Sequence, residues 1–139
     1  MVSESLGKLT QFVPAKEFFM GVDSDGCVFD SMEIKHKECF CPTFIRHFGL
    51  QPISQFAKET WEFVNLYSLS RGCHRFVALV KALDLLAERK EVKESGVIIP
   101  RLQVFRDWMV KQSKLGNPAL EAAILATGHP ELTMVWEFR

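Results

Sequence analysis

The chain has 139 residues, enough for one domain with a hydrophobic core. Its 17 basic and 17 acidic side chains cancel, so no net field draws it to nucleic acid or to an anionic membrane surface. The hydrophobic share of 47%, with 12 Phe and 3 Trp, is that of a globular protein, and no apolar run is long enough to span a bilayer.

The elements read as follows along the chain. Residues before Pro14 form a leader, with a short helix around Leu6 to Phe12 that Pro14 ends. The start, Met1-Val2-Ser3-Glu4-Ser5, is polar and lacks the basic-then-apolar order of a secretory signal, so a cytoplasmic protein is expected. Phe18-Phe19-Met20-Gly21-Val22 is a short apolar run of the kind that makes a buried strand. From Ser31 the pattern becomes helical. The first helix is capped by Asp30 or Ser31 and runs to about Phe48, with Gly49 as its stop and Pro42 predicting a kink or break. Pro52 opens the second helix, where Ile53, Phe56, Ala57, Phe63, Val64 and Tyr67 recur at helical spacing. After a break at Arg71-Gly72, the third carries Phe76, Leu79, Val80, Leu83, Leu86 and Ala87. The charged run Glu88 to Glu94 reads as a solvated helix end, and Gly96 to Pro100 as a loop. The fourth helix holds Leu102, Phe105, Trp108 and Met109 and ends near Gly116. Asn117-Pro118 caps a fifth that stops at Thr127-Gly128. His129 caps a sixth opened by Pro130, with Leu132, Val135 and Trp136 on one face. One strand followed by five or six helices is a mostly α chain, and a lone strand cannot satisfy its own backbone groups in a core.

The chemistry-bearing stretch follows that strand: Asp23-Ser24-Asp25-Gly26-Cys27-Val28-Phe29-Asp30-Ser31. Residues two apart on a strand share a face, so Asp23 and Asp25 can converge at its carboxyl end, where open α/β sheets bind ligands, or diverge slightly as the turn begins. Two adjacent carboxylates repel unless a cation lies between them, and their oxygens suit Mg2+. An Asp-x-Asp-Gly can also be a plain turn, since Asp and Gly are turn formers, but the apolar run before it and Phe29-Asp30-Ser31 after it make that the lesser reading. A calcium loop of EF-hand type does not fit: with Gly26 in the sixth position, Gly21 and Met32 would occupy the first and twelfth, and neither is a carboxylate.

This stretch resembles the first motif of the haloacid dehalogenase-like hydrolases. The resemblance implies that Asp23 is the nucleophile that forms an aspartyl-phosphate and that Asp25 is the general acid and base. It implies Mg2+ held by the Asp23 carboxylate and the backbone carbonyl of Asp25. Cys27 departs from the family, which usually has Thr there. The acid at Asp25 favours phosphoryl transfer over carbon–halogen cleavage, because a phosphate ester needs its leaving oxygen protonated. Many members insert a helical cap after this motif. The fold implied is the first strand of an α/β core, residues 1–32, followed by a helical cap, residues 33–139. The family's later motifs (a phosphate-binding Ser/Thr, a Lys, a further acidic pair) are not found in a strand context. The core therefore reads as incomplete, and little turnover is expected of these residues alone.

Three further residues are candidates for binding substrate. Arg71, His74 and Arg75 lie between two helices. The family's cap loops close over the active site, and Arg forks match phosphate or carboxylate. The alternative is a polar loop with a capping His. Lys35 and Lys37 fall in a cluster that reads as a solvated helix start. The cysteines Cys27, Cys39, Cys41 and Cys73 lack the spacing of a zinc knuckle or redox pair and read as reduced, packed thiols. The function expected is a Mg2+-dependent phosphatase acting on a small phosphorylated metabolite. A sugar-phosphate mutase of the same superfamily and a non-catalytic helical binding or scaffold domain are the alternatives.

Overall fold

A computed structural model describes Val13, residues 15–18 and residues 20–138. The expected leader helix, Leu6 to Phe12, lies outside the described residues, as does Phe19 of the expected strand. The chain divides into two units, residues 1–30 and residues 31–139, and each is taken by itself below.

In the first unit the expected strand is not present among the described residues. Residues 20–23 are irregular, and Phe18, Met20 and Val22 are exposed. A strand exists only by pairing its N–H and C=O groups with a neighbour. The described residues contain no sheet; they contain one isolated bridge, between Asp25 and Phe29.

The second unit is helical. Its first helix, α1 (residues 32–47), is continuous across Met32–Ile34, Lys35–Phe40 and Cys41–His47. Of the kink or break expected at Pro42, the break does not occur. The turn before it, Lys35–Phe40, is wound as a π-helix instead. Proline has no N–H to donate and its ring crowds the carbonyl four residues back, and a wider turn accommodates both. Gly49 ends the helix in the left-handed region at φ 66°, as its place in the sequence predicts. A short 3-10 turn, Gln51–Ile53, leads into α2 (residues 54–67), made of Ser54–Glu62 and a second π-wound stretch, Phe63–Tyr67. That winding corrects the expected core face. Phe63 and Tyr67 turn out to solvent, while Val64 and Leu66 turn in.

Helix α3 (Arg75–Glu88) buries Phe76, Leu79, Leu83 and Leu86 of its expected residues, while Ala87 is exposed. The charged run that follows is more than a frayed end. The chain breaks at Arg89 and forms a separate α4 (Lys90–Ser95), which buries Val92. Then come α5 (Gln103–Val110), α6 (Asn117–Thr127) and α7 (Pro130–Glu137). Helix α1 packs on α2, α2 on α3, and α7 on both α5 and α6. One buried cluster joins them, from Cys41 and Phe44 through Trp61, Leu79 and Phe105 to Leu132 and Val135. No helix of the described residues is long and apolar enough to cross a membrane.

Polar contacts between helices fix the arrangement. His47 Nε2 donates to the Met134 carbonyl across 2.8 Å, joining α1 to α7. Arg106 grips Asp84 with both guanidinium nitrogens, at 2.9 and 2.7 Å, joining α5 to α3. The start of α5 is capped from a distance. Leu102, at φ 49°, has no side chain able to cap, and Glu131 Oε2 in the first turn of α7 accepts from Val104 N at 2.7 Å and Phe105 N at 3.2 Å. Removing that carboxylate leaves two helix-end donors without their acceptor. Glu131→Ala is expected to cost about 1–2 kcal/mol of stability, measured as a shift in the urea midpoint with an unchanged slope.

Candidate functional site

The acidic stretch is a tight turn. Gly26 N donates to Phe29 O at 2.8 Å, and Phe29 N donates to Ser24 O at 3.0 Å. These bonds hold the backbone on both sides of Asp25. Gly26 makes the reversal at φ 77°, where any side chain would be strained. Both Asp23 and Asp25 are exposed. The Cys27 thiol points to Asp23 Oδ2 at 4.0 Å, a long contact from a weak donor. The premise that strand alternation aims both carboxylates one way does not hold here, because the turn, not a strand, sets their directions. Among the described residues no group of three His, Cys, Asp or Glu side chains could hold a metal ion. One carboxylate with a neighbouring backbone carbonyl is nevertheless a donor set that suits Mg2+, since the ion keeps several waters and takes one or two carboxylates together with substrate phosphate.

The other candidates lie in the helical unit. His74 is the N-cap of α3: its Nδ1 accepts from Phe76 N at 3.2 Å. Burial is the first cause, and Arg75 the second, that pushes its pKa below the usual histidine value. Arg75 donates to Asn117 Oδ1 and lies over the Phe76 ring, 5.1 Å from its centre. Arg71 is exposed in the loop before them. Two of the three thus have structural partners, while Arg71 lies near Glu33 and lowers that residue's pKa as a minor cause. The main cause there is Lys37, which donates to Glu33 at 2.7 Å and sits over the Tyr67 ring. His129 acts as expected, capping α7 by accepting from Glu131 N.

No family model, curated protein or solved structure matches this chain. The site is therefore judged on its own residues.

Sequence reasoning missed one feature. A cavity of about 130 Å³ lies inside the helical unit, lined by His36 and Phe40 of α1, Trp61 and Asn65 of α2, Arg75, Phe76 and Leu79 of α3, and Val135 and Phe138 at the end of the chain. The only signal for it was an aromatic-rich set of residues dispersed over a hundred positions, and such residues are ordinarily core. The cysteines are all free: Cys41 is buried, with its thiol pushed up to about 11 by burial, while Cys27 and Cys39 are exposed.

Proposed function

We propose that this chain carries the nucleophile and the acid/base of a Mg2+-dependent phosphatase of the haloacid dehalogenase type, acting on a small phosphorylated metabolite. What carries the reading is the turn itself: Asp23 and Asp25 exposed, one residue apart, with the backbone pinned on both sides of Asp25 and reversed at Gly26. The helical unit that begins at Ser31 would serve as the cap.

In this reading an Asp23 oxygen attacks phosphorus in line and the bond to the leaving oxygen breaks. Asp25 gives its proton to that oxygen. Water then attacks the phosphorus of the aspartyl-phosphate, Asp25 takes a proton from the water, and inorganic phosphate departs with Asp23 again a carboxylate. Asp23 and Asp25 would hold Mg2+, which when bound offsets charge on the phosphoryl oxygens. Of the three binding candidates Arg71 is the one to test first, because His74 and Arg75 already cap and brace α3.

The test is hydrolysis of matched aryl and alkyl phosphate esters by the product of the whole reading frame, with and without Mg2+. Turnover should require the metal. Asp25→Asn should slow the alkyl ester about 100-fold or more and the aryl ester much less, because an alkoxide needs a proton to leave and a phenolate does not. Equal rates for wild type and Asp25→Asn on the alkyl ester would overturn the assignment. A non-catalytic binding role for the helical unit is the second reading, favoured by the structural use of His74 and Arg75. It predicts no Mg2+ affinity and no loss of function in Asp23→Asn.

A further inference from the structure

The cavity in the helical unit meets solvent at two aromatic rings. Phe40 of α1 is 45% exposed, and Phe138 at the end of the chain is half-buried. The other apolar walls, Phe76, Leu79 and Val135, are buried. Phe40 and Phe138 therefore offer most of the apolar surface that a ligand in the cavity can reach. Both helices that bring polar side chains to the cavity beside these rings are π-wound there. His36 and Phe40 lie in Lys35–Phe40, and Asn65 lies in Phe63–Tyr67. Pro42 accounts for the first winding, but residues 63–67 contain no proline. Such single-turn departures from the α-helix are frequent at functional sites.

The charge in the walls has one sign. Arg75 is the only charged side chain among the lining residues, and no acidic side chain lines the cavity. Arg75 is exposed, and its guanidinium lies over the ring of Phe76, itself a wall, 5.1 Å from the ring centre. Its hydrogen-bond partner is the neutral amide of Asn117, and no carboxylate pairs with it among the described residues. A guanidinium carries five N–H donors, so the bond to Asn117 leaves both charge and donors to spare. His36 adds no second charge at neutral pH, because burial first and Lys35 second push its pKa below the usual histidine value.

We propose that this cavity binds a small aromatic monocarboxylate of about the size of benzoate, with its ring against Phe40 and Phe138 and its carboxylate on Arg75. The volume of about 130 Å³ is close to the roughly 150 Å³ of an apolar protein cavity that accommodates benzene, so one ring fills it. The planar fork of Arg75 matches a carboxylate, and its single charge balances a monoanion. An aryl phosphate dianion would leave one charge unbalanced, and a neutral ring would leave Arg75 as it is. The site is independent of whatever Asp23 and Asp25 do.

Benzoate and benzamide are the probes, since they share a shape and differ in charge. Acetate is the carboxylate without a ring. The readout is the side-chain amide signal of Asn65, a lining residue, in a nitrogen–proton correlation spectrum of the intact chain. The amide of Gln55, which does not line the cavity, is the reference. Benzoate is expected to give a saturable Asn65 shift in the millimolar range and to bind about tenfold tighter than benzamide. Acetate should not saturate the site, and Gln55 should not move. In Arg75→Gln the preference for benzoate should fall to near unity while benzamide still binds. Phe40→Ala, at a ring already part-exposed, should weaken both probes about equally. Benzamide binding as tightly as benzoate to the wild type would overturn the proposal, whatever the variants do. So would a preference that survives in Arg75→Gln, affinities unchanged in Phe40→Ala, or Asn65 and Gln55 shifts that rise together without saturating.

Discussion

On the proposed phosphatase reading, Asp23→Asn in the product of the whole reading frame is expected to lower kcat roughly 10,000-fold or more. The amide is nearly the size of the carboxylate, and Asp23 is exposed, so the fold has little reason to respond. What changes is chemistry. A neutral amide oxygen does not attack phosphorus to give an acyl phosphate, and it binds a hard cation more weakly than a carboxylate does. The loss should fall on kcat far more than on KM, because the missing bond forms only on the way to the transition state. The decisive control is the adduct. Wild-type protein quenched during turnover should carry one phosphoryl group on the peptide containing Asp23, and the variant none. Activity that persists in Asp23→Ala, with Mg2+ still required, would sink the aspartyl-phosphate route altogether.

Phe44→Ala should be the most destabilising single truncation in the helical unit. The ring is 0% exposed and lies at the centre of an aromatic cluster, with Trp61 4.7 Å away between ring centres, Phe48 5.5 Å and Phe138 6.2 Å. Those neighbours come from α1, α2 and the end of the chain, so no one segment can collapse into the gap. The transfer and cavity costs together come to about 3–5 kcal/mol. Against a typical total of about 5–15 kcal/mol, that is at least about a fifth of the stability. Thermal unfolding followed by circular dichroism should show Tm lowered by roughly 10–20 °C. Leu69→Ala, at a fully exposed position, should stay within about 0.5 kcal/mol of wild type. Equal losses in the two variants would mean that Phe44 is not at the centre of the core.

The turn around Asp25 was legible from its residue types alone. Asp-x-Asp-Gly reverses the chain because Gly26 tolerates φ 77°, and that preference is local. What the turn is attached to was not legible. The apolar run from Phe18 to Val22 has the composition of a strand, but a strand is defined by its partner, and the described residues provide none. The expected break at Pro42 failed for a related reason. The local rule identifies a missing N–H correctly, but packing of α1 on α2 kept the helix running and a π turn absorbed the fault. The same winding in residues 63–67 explains why a regular helical wheel put Phe63 and Tyr67 inside.

The substrate-binding candidates show the limit from the other side. Composition marked Arg71, His74 and Arg75 as a cationic cluster. Three-dimensional neighbours gave His74 to the Phe76 N–H and Arg75 to Asn117, 42 positions away. A residue's type sets what it can bond to; only its neighbours decide what it does bond to.

By itself the sequence determined the helical class, the order of the helices and most of their ends, because side-chain periodicity, prolines, glycines and capping residues act over a few positions. It also determined the acidic turn and the cap at His129. Tertiary structure alone decided that Glu131 caps a helix beginning 28 positions earlier at Gln103, that Phe44 is the hub of the core, and that His36 and Trp61 line one cavity. Each of these joins residues far apart in the chain, and their meeting is set by how helices pack to bury apolar surface, which no local pattern encodes.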